Sequence, residues 1–328
     1  MITRRRLIIV LGAGALAAPF GCFAQQQGKV WRIGFLTFAG RPDTLDRFSG
    51  FPQGMRGLGY IEGKNLEIQW RHAEGKPERL PGLATELVQL KVDVIVTLGA
   101  GSHGAAQKAT STIPIVMVNV ADPVGNGLVK SLARPGGNIT GLASLATELS
   151  LKHLEMLHDM VPRLSRVAIL MNPVNSNHPL ILKNIQAAAL KKNVKILPVE
   201  ARTSQEIENA FATITAKRAG AVIVANDGLF TQQLLRIVEL TAKNRLPSIW
   251  ANRDYVEAGG LMSYESNRAE QFRRAATYVD KIFKGARPAD LPVEQPTKFE
   301  LIINGRTAKA LGLKIPGSIL VQATKVIE

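Results

Sequence analysis

A chain of 328 residues with one cysteine, 5 % aromatic residues and a formal charge of +15 has no intramolecular disulfide and must draw its stability from an aliphatic core. That length suffices for two domains of about 150 residues each. The positive charges are scattered over predicted helix faces without interleaved aromatics, which argues against nucleic acid as a partner and for a basic, solvated surface.

Residues 1–27 read as an export signal. Arg4, Arg5 and Arg6 precede an apolar run from Leu7 to Ala18, and Cys22-Phe23-Ala24 offers small residues where a signal peptidase cuts. The run breaks at Pro19 and Gly21, short of the roughly 20 apolar residues of a membrane span. Thr3-Arg4-Arg5 is similar to a twin-arginine signal, and Cys22 offers a lipidation point, although Pro19-Phe20-Gly21 departs from the leucine-led pattern before a lipidated cysteine. The mature protein is expected in the periplasm.

Strand-like apolar runs then recur every 25 to 35 residues, at 31–36, 66–71, 92–97 and 113–118, and again at 166–171, 194–198, 221–225 and 247–249. Amphipathic stretches at 80–90, 152–161, 179–190, 207–219 and 231–243 separate them with helical period. This is the rhythm of parallel sheets covered by helices on both faces, and it occurs twice. The expected fold is α/β, two Rossmann-like lobes joined by a three-segment hinge. The lobes are read as 28–141 plus 265–292, and 142–264 plus 293–328, with crossings near 140–148, 261–264 and 292–296.

Catalytic signatures are missing: no GxGxxG follows the first strand, and there is no P-loop, HExxH, CxxC pair or G-x-S-x-G elbow. His153 and His158 are five apart, which does not stack them as metal ligands. No metal, cofactor or enzymatic activity is expected. The strand ends are richer. Gly99, Ala100, Gly101 and Ser102 open a helix whose free amides and Ser102 hydroxyl suit an anion, or form a plain capped turn. Asp122 follows the fourth strand, with Pro123 fixing its turn; Asn172 and Asp227 stand at the corresponding places in the second half. These Asx residues suit a ligand amine or amide, or serve as helix caps. Thr37 and Phe38 close the first strand, Tyr264 closes the run 261–264, and Ser176 is a polar loop residue. Trp250 reads as packing.

Extended blocks carry a resemblance over essentially the whole mature chain. They are Gly54 with Leu58-Gly59-Tyr60-Ile61-Glu62-Gly63-Lys64-Asn65-Leu66, Arg79-Leu80-Pro81, Val92-Asp93-Val94-Ile95-Val96 and Ala109-Thr110-Ser111-Thr112-Ile113-Pro114-Ile115-Val116. Further on come Asp122-Pro123-Val124, Leu132-Ala133-Arg134-Pro135-Gly136-Gly137-Asn138-Ile139-Thr140-Gly141 and a final segment ending Ala310-Leu311-Gly312-Leu313. The chain resembles the periplasmic substrate-binding proteins of ABC importers, in the branch related to tryptophan- and tyrosine-binding lipoproteins. The resemblance implies a type I periplasmic-binding fold that closes over a small solute, an aromatic or branched amino acid or a related molecule. It also implies delivery to the transmembrane subunits of an ABC permease, with the ATPase reached through them, by a monomer. In that setting Thr37, Gly99 to Ser102, Asp122, Asn172 and Asp227 become cleft walls. A ligand sensor for a membrane signalling protein would share these features, and an exported hydrolase is the remaining alternative.

Overall fold

The computed structural model describes residues 29–38, 48–99, 101–175 and 177–328. The expected export signal, Ala100 and Ser176 lie outside the described residues.

The apolar runs fold as strands because residues such as Val94, Ile95 and Val96 are buried on both faces of a sheet. In the first lobe the order along the chain is β1 (Trp31–Thr37), α1 (Gly50–Gly57), β2 (Leu66–His72), α2 (Leu80–Gln89), β3 (Val94–Leu98), α3 (Ser102–Ala109), β4 (Ile115–Ala121) and β5 (Ile139–Ser144). All five strands are parallel, in the order β2-β1-β3-β4-β5. The second lobe follows with α4 (Ala146–Met160), β6 (Arg166–Met171), α5 (His178–Lys191), β7 (Lys195–Glu200), α6 (Ser204–Ala216), β8 (Ala221–Val224), α7 (Gly228–Gln232), α8 (Leu234–Lys243), β9 (Ser248–Trp250), α9 (Arg253–Glu257) and β10 (Met262–Ser266). After α10 (Arg268–Phe283), β11 (Phe299–Asn304), α11 (Gly305–Ala310), α12 (Gly317–Leu320) and β12 (Lys325–Ile327) complete a sheet of order β12-β11-β10-β9-β8-β6-β7. Among the described residues only the β10–β11 pairing is antiparallel.

Each sheet has an apolar layer on both faces. Phe35, Phe51, Val96 and Phe272 fill one face of the first sheet, and Leu36, Leu87, Ile95 and Met117 the other. Leu157, Ile185, Ile223 and Ile303 lie on one side of the second sheet, and Phe211, Phe230, Ile237 and Trp250 on the other. Trp250 is packing, stacked on Tyr255 with its indole N–H donated to Ser248 Oγ at 3.0 Å.

The α10 helix returns to the first lobe, where it lies against α1. A Cβ at Gly54 would stand 2.8 Å from Ala276 Cβ, and one at Gly50 2.8 Å from the Ala269 carbonyl, so the glycines of α1 allow a close helix crossing. The chain therefore passes between sheets after Ser144, at Asn267 and over residues 295–298. Residues 262–264 of the run 261–264 belong to β10 inside the second sheet, and β5 carries the first sheet through Ser144, three residues beyond the reading from sequence. The helix expected over 231–243 is two helices, α7 and α8, parted at Gln233. Arg274 on α10 and Glu294 on the returning segment form a two-pronged ion pair, with Nε to Oε2 at 2.9 Å, where the last crossing begins.

Candidate functional site

Parallel strands bring their carboxyl ends to one edge of each sheet, and the two edges face one another across a cavity of about 230 Å³. The first sheet contributes Thr37, Phe38, Leu98, Gly99 and the end of β4, Val118 to Ala121. The second contributes Asn175, Asn177 and His178 after β6, Ala225 to Gly228 after β8, Asn252 after β9 and Glu265 and Ser266 at the end of β10. Helix α4 adds Leu149, Ser150 and His153, and α10 adds Arg268, Gln271 and Phe272.

Asp227 is the best-organised polar group in this cavity. It caps α7, taking the Leu229 N–H on Oδ1 at 2.9 Å, because a short acceptor at that position satisfies an amide the helix leaves unpaired. Asn172 donates to Oδ1 at 3.1 Å and Asn175 to Oδ2 at 3.0 Å. The carboxylate is only 6 % exposed. These three donors occupy three of its roughly four acceptor positions. Asn172 does not line the cavity; it holds Asp227 from behind, while its own N–H donates to His178 Nδ1 at 2.9 Å.

That last bond fixes His178 as a neutral ring, since Nδ1 accepts and Nε2 must donate to the Asn226 carbonyl at 3.1 Å. Burial pushes its pKa down, against the smaller opposing pull of the Asn226 carbonyl and of Asp227. His103 and His153 are pushed down to about 4 by burial. His103 Nδ1 pairs with Thr97 Oγ1 at 2.8 Å. Burial pushes the Glu265 carboxyl up, although Arg268 and the Arg253 N–H, 2.6 Å from Oε1, draw it back. The Arg268 guanidinium lies between Glu265 and Asp254, 3.4 Å from each.

At the rim, groups from the two lobes touch. The Phe38 ring lies against Gly228, and a Cβ there would overlap two of its carbons. Gln232 Nε2 would stand 2.5 Å from a Cβ at Gly75. Asn126 donates to Asn177 Oδ1 at 3.4 Å.

Of the residues singled out from sequence, Thr37, Phe38, Gly99 and Asp227 line the cavity. Gly101 precedes α3 with φ of 81°, and Ser102 is fully buried, its hydroxyl without a partner among the described residues. Asp122 does not line the cavity: it sits at φ of 44° on an exposed turn and spends its carboxylate on the Gly125 N–H at 2.8 Å, while the Pro123 carbonyl receives Leu128 and Val129. The Tyr264 ring turns away to stack on Phe299, but its carbonyl receives His153. The three cavity histidines, Glu265 and Arg268 were not singled out for the site. Asn119, which also lines the cavity, sits at φ of 58° where the β4–β5 register shifts, a left-handed conformation that asparagine adopts readily. Among the described residues no group of three or more His, Cys, Asp or Glu is placed to hold a metal ion.

Two parallel-sheet lobes, crossed three times by the chain and enclosing a cavity, define a receptor of the type I periplasmic-binding architecture. Residues 32–327 match the ABC transporter substrate binding protein family, and the chain belongs to it. A tyrosine-binding protein of Clostridioides difficile is 27 % identical over 330 residues, covering 96 % of this chain and 94 % of that one. The crystal structure of an ABC domain from Streptococcus pneumoniae in complex with L-Trp is 26 % identical, with a TM-score of 0.84 over 90 % of this chain and 99 % of that one. A ligand-free, open substrate-binding protein from Clostridium difficile, also 26 % identical, gives 0.66 over 91 % and 99 %. With the groups of the two lobes touching at the rim, this is a closed arrangement. The protein is an extracytoplasmic receptor of ABC import, not an enzyme.

Proposed function

We propose that the receptor closes over a small amino acid with an aromatic side chain, whose ammonium group is held by Asp227. The observation that carries this reading is the Asp227 carboxylate, buried and fixed by three donors, with acceptor capacity remaining toward a cavity walled by Leu149, Ile181, Ile223 and Phe272. A buried charge held this rigidly is costly unless a cation completes its partners, and the apolar walls suit a hydrocarbon ring. The tyrosine-binding relative and the tryptophan complex support the same class. Thr37, Phe38 and Gly99 close the cavity from the first lobe, and the closed shape is what a permease recognises as loaded. Arg4 to Arg6 and the apolar run after them support export to the periplasm, and family membership supports transmembrane permease subunits, with their ATPase, as partners.

Native mass spectrometry of gently purified protein, followed by identification of whatever small molecule denaturation releases, tests the reading. Release of an aromatic amino acid, or its binding in titration, is the expected result. A released sugar or carboxylic acid without an amine, with no binding of aromatic amino acids, would refute it.

A further inference from the structure

His153 lies on α4 and reaches back across the second lobe to β10, where its Nε2 stands 2.7 Å from the Tyr264 carbonyl oxygen. A carbonyl can only accept, so Nε2 carries the proton and donates. In a neutral imidazole the other nitrogen, Nδ1, is then a bare acceptor. The ring is kept neutral because burial holds its pKa down at about 4. Among the described residues nothing donates to Nδ1, and this atom is not among the sealed, unpartnered polar atoms of the interior. The side chain is only 3 % exposed and lines the cavity. Ile181, Ile223 and Ala225 belong to one apolar layer and line the same cavity, with Ser150 beside His153 on α4. Nδ1 is thus an acceptor of fixed hydrogen-bonding sense on a wall that is hydrocarbon in part.

We infer that His153 is a specificity-determining residue whose Nδ1 accepts a hydrogen bond from an N–H or O–H on the ring of the bound solute. This deepens the proposed aromatic amino acid reading and rests on it for the solute's class. A site that offers a bare buried acceptor disfavours a ligand that leaves it unpaired, so a phenol or an indole is preferred over a plain hydrocarbon ring.

The test is titration calorimetry of the full mature chain with two matched pairs, L-tyrosine against L-phenylalanine and indole against benzothiophene, each pair differing in the ring donor. The native protein is expected to prefer the donor member of each pair by at least about tenfold. His153→Leu, checked for folding by thermal unfolding, should lose the preference while binding the donor-free member at least as well. His153→Gln, whose amide N–H can serve the Tyr264 carbonyl and whose oxygen can replace Nδ1, should restore part of it, and keeps the test alive if the leucine variant does not fold. Equal binding within both pairs by the native protein, binding of no member of either pair, or an unchanged preference in folded His153→Leu overturns the inference. If neither amino acid binds but indole is preferred over benzothiophene in a His153-dependent way, the amino acid reading fails and the role of His153 stands.

Discussion

Gly228→Ala should impair closure without harming the lobes. Gly228 is the first residue of α7, with ordinary helical backbone, so alanine is tolerated there and removes the entropic cost of glycine, worth about 0.5 to 1 kcal/mol in favour of the variant. The added Cβ would overlap Phe38 Cδ1 and Cε1 and stand 3.5 Å from Cγ. Carbon atoms pack comfortably at about 3.5 to 4.0 Å, so the ring or the whole rim must move by an ångström or more. Misfitted methyl groups in packed interiors cost about 1 to 3 kcal/mol. Here that cost falls only on the closed form, because Phe38 belongs to the first lobe and Gly228 to the second. Binding linked to closure should weaken by about fivefold to 150-fold. Titration with L-tyrosine or L-tryptophan reads the affinity, small-angle scattering reads the closed population without any ligand, and thermal unfolding should show undiminished stability. Phe38→Ala in the same chain should recover the closed population. Undiminished closure and affinity in the single variant, or no recovery in the double one, would refute the reasoning.

Acid should unfold the protein through its histidines. His103 and His153 have pKa values lowered to about 4 from 6.5, so the unfolded state takes up their protons first as pH falls. Their neutral burial costs nothing above pH 6.5, and stability is lost progressively between pH 6.5 and 4, by about 3 kcal/mol for each ring; urea midpoints over that range should fall accordingly and flatten in His103→Phe. Asp227→Asn keeps a capping oxygen on α7 but removes the charge and sets an amide N–H against one of the donors now bound to the carboxylate, so calorimetry should show at least about 30-fold weaker binding of an amino acid and urea unfolding a loss of about 1 to 3 kcal/mol. Asp122→Ala should do the reverse, costing about 1 kcal/mol in urea unfolding through its lost bond to Gly125 while leaving affinity within a few fold.

The sheets were legible because continuous apolar runs such as Ala221–Val224 have no other place to go than a doubly covered strand. Helix α1 was not, because three glycines and a proline in eight residues contradict helix propensity, and their reason lies on α10, more than 200 residues later. The three residues of β12 are too few to carry a period. Within the cavity, Gly99 and Asp227 could be found from their places at strand ends. Asp122 stands at such a place too, yet its positive φ turns it into a local turn former. His153 could not be found in this way: the partner that fixes its proton is 111 residues away, and its helical spacing from His158 gives no hint of it.

The interleaving of the two lobes has a bearing on the order in which the protein can fold. The first sheet is finished by Ser144, but the face holding Phe35 and Phe51 stays bare until Phe272 and Tyr278 arrive on α10. The second sheet lacks β11 until residue 299 has been made, and β11 lies between β10 and the β12 edge. Neither half can bury its core on the ribosome until most of the chain has emerged, and contacts this distant in sequence form slowly. A chain cut short of α10 would therefore leave both lobes unfinished rather than one lobe whole.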